Sequence, residues 1–137
     1  MNSLLILGIV VVPTLAFGFW HKSTRGKVRG NSHGSTPALT AEELGIVLGS
    51  RVTLVQFSSA FCSPCRATKA LLSNIVEDLP DVVHIDIDAE SHLELVRRLK
   101  IVSTPTTLIL DRHGVEIARA VGAPKRDQVL ASLAAIL

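Results

Sequence analysis

The chain has 137 residues, enough for one ordinary domain and too few for two. Apolar residues make up 47% and charged residues 19%, with a mean hydropathy of +0.41, which excludes a disordered chain. Two cysteines exclude a disulfide-rich scaffold. The net charge of +2 hides an asymmetry. Ten Lys and Arg stand against twelve Asp and Glu from Ala41 onward, while Lys22, Arg25, Lys27 and Arg29 cluster ahead of them. A body without a basic surplus argues against a nucleic-acid partner.

Leu4 to Trp20 is apolar apart from Pro13, Thr14 and the glycines. About 17 residues is the lower limit for a helix that spans a bilayer. Phe17, Phe19 and Trp20 fall at its far end, where aromatic rings favour the headgroup region. Pro13 is tolerated in a membrane helix. The rival reading is a cleaved signal peptide, but the n-region has no charged side chain and Ala16-Phe17-Gly18 is a poor cleavage site. Residues 1–20 are therefore expected to be a single-pass anchor that holds the protein to the membrane through residues 4–20. The basic residues behind the segment place the body in the cytoplasm by the positive-inside rule, with an extracytoplasmic body as the alternative. Residues 21–39, rich in Gly, Ser, Lys and Arg without an apolar period, read as a flexible tether.

Residues 40–137 alternate between two periods. Thr40-Ala-Glu-Glu43 is a capping box that opens a helix over 41–48, closed by Gly49. Val52 to Phe57 is a strand buried on both faces. A helix follows over 64–79, with Leu71, Leu72, Ile75, Val76 and Leu79 toward the core. Val82 to Asp88 alternates as a strand, and a helix over 91–99 comes next. Thr106 to Asp111 and Val115 to Val121 form a hairpin around Arg112-His113-Gly114. The last helix, 127–137, points Leu130, Leu133, Ala134 and Leu137 inward. The first half of the order α-β-α-β-α-β-β-α demands parallel strands with crossover helices, and the hairpin adds an antiparallel edge, a central mixed sheet flanked by helices.

Both cysteines fall in Cys62-Ser63-Pro64-Cys65, at the junction of a buried strand and a helix. A sulfur at a helix N-cap meets unpaired backbone N–H groups and the helix dipole, which favour the reactive thiolate. This makes Cys62 the nucleophile and Cys65, one turn further, the group that resolves a mixed disulfide. Pro64 at the first helical position costs no hydrogen bond. A zinc site needs four ligands, no second cysteine pair exists, and His33 and His113 are poorly placed to complete one. A purely structural bridge over two residues closes almost no loop. His92 sits on a solvated helix face. Pro105, in Thr104-Pro105-Thr106 at a strand entrance, marks a bend, of which a cis bond is one form.

Together these stretches resemble the thioredoxin family. The resemblance covers residues 40–137 through Val52–Phe57, Phe61-Cys-Ser-Pro-Cys-Arg66, Val83–Asp88, Ser103–Leu108, Gly114–Ile117 and Val121-Gly122. It implies a thioredoxin-like α/β fold, a redox-active pair at Cys62 and Cys65 and a cis peptide at Thr104-Pro105. It also implies a substrate groove from Phe61, Ser63, Thr104, Pro105, Gly122 and Ala123, in which the Thr104 backbone pairs with the substrate chain. Departures are specific. Phe61 and Ser63 replace the usual Trp and Gly around the first cysteine, Ser58 the second Trp, and Ala70 the kinking proline. Gln56 stands where the family has a buried Asp, and His84 where it has that Asp's Lys partner. The usual first strand has no counterpart in the sequence pattern.

The function expected is a protein-disulfide reductase acting by dithiol-disulfide exchange on disulfide-containing proteins. A separate reductase or membrane electron donor recharges it. The reading assigns no cofactor and no metal, and treats the chain as a monomer. His84 joins the site as a base for Cys65, because the strand period turns it to the side of Gln56. The alternatives are an extracytoplasmic thiol oxidoreductase in disulfide or cytochrome c maturation, and a non-catalytic redox-sensing or binding module tethered to the membrane.

Overall fold

The computed structural model describes residues 2–24, 26–30 and 37–136. Arg25, His33 and Leu137, all named from the sequence, lie outside the described residues. The elements are α1 (Asn2–Thr24), β1 (Val28–Gly30), α2 (Ala41–Leu44), β2 (Val52–Ser58), α3 (Ser63–Glu77), β3 (Val82–Asp88), α4 (Leu93–Arg98), β4 (Thr106–Asp111), β5 (Glu116–Val121) and α5 (Arg126–Ala134). They build one mixed five-stranded sheet, ordered β1-β5-β4-β2-β3. Among the described residues only β2 and β3 run parallel; the pairs β2–β4, β4–β5 and β1–β5 are antiparallel.

Strand β2 is central because it is apolar on both faces. Val55 and Phe57 enter one core with Leu39, Leu99, Leu108 and Leu110. Val52 and Leu54 enter a second core, on the other side, with Leu72, Ile75, Val129 and Leu133. All four β2 side chains are fully buried. Full burial of such a side chain is worth about 1.5–3 kcal/mol, so the two cores fix the strand that leads into the Cys62 turn.

The structure departs from the sequence expectation in four places. Helix α2 stops after one turn, because Gly45 takes a left-handed conformation (φ 67°) and donates back to the Ala41 and Glu42 carbonyls. Its capping box is present, with Glu43 N–H on the Thr40 hydroxyl and Thr40 N–H on the Glu43 carboxylate. On α5 the buried stripe is Val129 and Leu133; Leu130 is 39% exposed and Ala134 is exposed. The hairpin is not an edge: β4 lies beside β2 inside the sheet. Finally, residues 28–30 of the expected tether form β1 on the outer edge of β5, with Val28 opposite Ala120 and Gly30 opposite Ala118. Strand β5 otherwise presents unpaired backbone groups, which any extended segment nearby can satisfy.

Ser3–Ser23 within α1 has a mean hydropathy of 2.2 over its most apolar window, with none of that window buried, and is long and apolar enough to cross a bilayer. The Thr14 hydroxyl donates to the Val10 carbonyl at 2.6 Å, one turn back on α1.

Gly114 turns the β4–β5 hairpin at φ +79°, and a Cβ there would stand 2.0 Å from the Leu39 carbonyl oxygen. The Gly114 carbonyl also accepts the Leu39 N–H at 2.9 Å. Gly114→Ala is therefore expected to strain the turn and shift Leu39 out of its core. The loss should be about 2 kcal/mol or more, read as a lower urea midpoint at unchanged slope.

Candidate active site

Strand β2 ends at Ser58, and a short turn delivers the chain to α3. The Cys62 N–H donates to the Ser59 carbonyl at 3.3 Å within that turn. Cys62 is the N-cap residue of α3, in extended conformation, and its sulfur accepts the Cys65 N–H at 3.2 Å. The sequence places Pro64 at the first helical position; with Ser63 opening the helix, Pro64 is the second, where a missing N–H is equally harmless. The two sulfurs form a disulfide, with Cα atoms 5.2 Å apart. Access divides the pair. Cys62 is half-buried, whereas Cys65 is 3% exposed. Phe61 and Ser63 flank Cys62 and are both exposed, Phe61 completely.

A second segment faces this turn. The Thr104–Pro105 peptide is cis. The Ser59 and Thr104 hydroxyls are 3.1 Å apart in a hydrogen bond that ties the two segments together. The Gly122 N–H donates to the Pro105 carbonyl at 2.8 Å, and Gly122 has φ 90°. Ala123 follows it at the same end of the sheet. The residues expected to form the groove thus converge at one pole, at the carboxyl end of β2.

Beneath Cys65 lies a buried polar chain. Gln56 is 0% exposed. Its Nε2 donates to the Cys65 carbonyl at 2.8 Å and to the Ser58 hydroxyl at 3.0 Å. With both amide hydrogens committed, Oε1 faces His84 Nε2 at 3.2 Å as acceptor, which makes Nε2 the protonated ring nitrogen. His84 Nδ1 then accepts from the Ser73 hydroxyl at 3.4 Å. In the other direction the Ser58 hydroxyl donates to the Asp86 carboxylate, which pairs with Lys69 at 3.2 Å. Burial pushes the His84 pKa below its usual value; Asp86 pulls it up and Lys69 pushes it down further. His84 is therefore a neutral ring near pH 7.

The period-2 pattern rightly turns His84 and Gln56 to one side, but their hydrogen bonds differ from the expected arrangement. His84 bonds to Gln56 and Ser73, and it is Gln56 that touches Cys65. Ser58, Asp86, Lys69 and Ser73 complete the chain and were not singled out for it by sequence reasoning. Their signal is partial: Asp86 shares the His84 face by alternation, but only the β2–β3 register, Gln56 opposite Asp86, brings the two strands' polar residues together.

Comparisons with known proteins agree with this geometry. The thioredoxin family model matches residues 35–135. A thioredoxin of Mycolicibacterium smegmatis is 33% identical over 104 residues, covering 72% of this chain and 92% of its own length. One from Chlamydia pneumoniae is 30% identical over 89 residues, covering 65% and 86%. The solved structure of Fasciola hepatica thioredoxin superposes with a TM-score of 0.58 at 20% identity, covering 65% of this chain and 84% of that one. Thioredoxin f from spinach chloroplast gives 0.57 at 26% identity, covering 64% and 78%. With its Cys62–Cys65 pair on the strand-to-helix turn of this fold, the chain belongs to the thioredoxin family.

Proposed function

We propose that the chain is a membrane-anchored thiol-disulfide oxidoreductase that reduces protein disulfides. The observation that carries the reading is the unequal access of the two sulfurs at a helix N-cap, one open to a substrate and one beneath it. In the reduced protein the Cys62 thiolate attacks one sulfur of a substrate disulfide, forming a mixed disulfide and releasing the other as a thiolate. The Cys65 thiolate then attacks Cys62. The substrate leaves as a dithiol and the protein is left oxidised; two electrons have moved, and two protons are taken up by the substrate sulfurs. A dithiol donor restores Cys62 and Cys65. Thr104, Pro105, Gly122 and Ala123 hold the substrate backbone beside Cys62, and Phe61 and Ser63 border it. Catalytic reduction of insulin by the chain with a dithiol donor tests this. Stoichiometric oxidation without turnover would favour a redox sensor.

The anchor is α1, and the body lies on the cytoplasmic side, supported by Lys22, Arg25, Lys27 and Arg29 behind the span. The body is expected to resist protease added to intact cells stripped of any wall. Digestion under conditions that spare a cytosolic marker reverses the orientation and favours an extracytoplasmic oxidoreductase.

A further inference from the structure

The membrane helix and the redox pair meet at the same pole of the domain. Helix α1 ends at Thr24, and Gly26 is already docked: its N–H donates to the Val121 carbonyl at 2.7 Å. A Cβ on Gly26 would lie 2.2 Å from the Ala123 carbonyl oxygen, so only glycine fits so closely there. From this point β1 runs antiparallel to β5, away from the pole that carries Gly122. The chain therefore enters the sheet at its active-site end. A short relay of contacts leads from Gly26 to the nucleophile. Val121 precedes Gly122, which bonds Pro105; Thr104 bonds Ser59, which accepts the Cys62 N–H.

Chain reach sets the distance from the bilayer. From Trp20, the last residue of the apolar run, four helical steps lead to Thr24 and two more to Gly26, a path of at most about 13 Å. The opposite pole of a domain this size lies about 30 Å further away. From this we infer that the active-site pole faces the bilayer, and that the substrates are membrane-bound polypeptides whose cystine lies within a few residues of the lipid surface. This rests on the anchored oxidoreductase reading above. Two exposed apolar side chains at this pole, Phe61 at 101% and Val102 at 88% exposure, suit a partner that emerges from the same membrane. Sharing one bilayer also raises the effective concentration of such a partner.

The test uses the full chain in lipid vesicles. In a Cys62→Ser/Cys65→Ser background, a fluorescent donor is attached at Phe61→Cys or at Asp78→Cys, at the far end of α3, with acceptor dye on the lipid headgroups. Energy transfer is expected to be clearly stronger from position 61 than from position 78. Equal transfer, or the reverse, in protein that floats with the vesicles overturns the inference and leaves the anchor standing. Protein that does not float overturns both. A second measurement reads activity with the unmodified chain. Two lipid-anchored peptides carry the same cystine behind spacers of about three or about thirty residues. The short-spacer peptide is expected to be reduced at least as fast as the long one. Reduction of the long-spacer peptide alone, by a chain that still reduces insulin, overturns the inference without touching the oxidoreductase reading.

Discussion

Cys62→Ser is expected to abolish insulin reduction, whereas Cys65→Ser is expected to stop it half-way and leave substrates attached through Cys62. The argument is geometric. Cys62 is the half-exposed sulfur, at the N-cap of a 15-residue helix, with the Cys65 N–H directed at it from 3.2 Å. That hydrogen bond and the helix dipole stabilise negative charge on Cys62 and on no other side chain of the turn. Cys65 is 3% exposed, so a folded substrate cannot reach it first. Removing an activated nucleophile costs up to about 10⁶-fold in turnover where the groups act as a unit. Both variants should thus fall to background in a turnover assay. They separate on a non-reducing gel: Cys65→Ser accumulates mixed disulfides that a strong reductant releases, and Cys62→Ser accumulates few. Trapping by Cys62→Ser instead would exchange the two roles.

The place of Cys62 in the fold was legible in the sequence because it sits where two periods meet. A two-side-buried apolar run has to end in a turn, and a proline just inside an amphipathic run announces a helix start, so the N-cap position of Cys62 follows from local signals. The second strand of the parallel pair was legible for the same reason. What lay outside the sequence is whatever a register or a neighbouring edge decides. Val28-Arg29-Gly30 has no alternation and no apolar partner in sequence; it is extended because β5 offers it an edge. Helix α2 is short because Gly45 takes a left-handed conformation before the apolar residues beyond it can extend the helix. Leu130 fits the helical stripe by spacing, but the docking angle of α5 selects Val129 and Leu133. The polar chain below Cys65 is the most consequential case. Its members come from β2, α3 and β3, and no local pattern places Ser58 against Asp86.

That chain leads to the second large effect expected. Reduction requires the Cys65 proton to leave before Cys65 can resolve the mixed disulfide, and Gln56, unlike the carboxylate usual at its position in the family, cannot accept it. His84 does not reach that proton either, because its protonated Nε2 faces Gln56 and its acceptor Nδ1 faces Ser73; the proton is left to solvent. His84 acts on Cys65 through position: it holds Gln56 Oε1, and thereby the amide that donates to the Cys65 carbonyl. His84→Ala removes the ring and leaves a buried acceptor unpaired, a penalty of about 1–3 kcal/mol. Turnover at pH 7 is expected to fall about tenfold, the effect of about 1.4 kcal/mol lost when the Gln56 amide no longer holds the Cys65 backbone. Adding Gln56→Asp to that variant should recover part of the loss by returning a carboxylate beside Cys65. The pH dependence follows from the His84 pKa, which burial lowers. With the folded pKa below the unfolded value of about 6.5, the unfolded chain takes up the proton first as pH falls. The stability contributed by neutral His84 is complete above that value and declines below it. His84→Ala should flatten this decline in urea titrations and remove the matching limb from the pH–rate profile of insulin reduction. A variant that follows wild type at every pH, in both measurements, would make His84 an ordinary strand residue with no hold on Cys65.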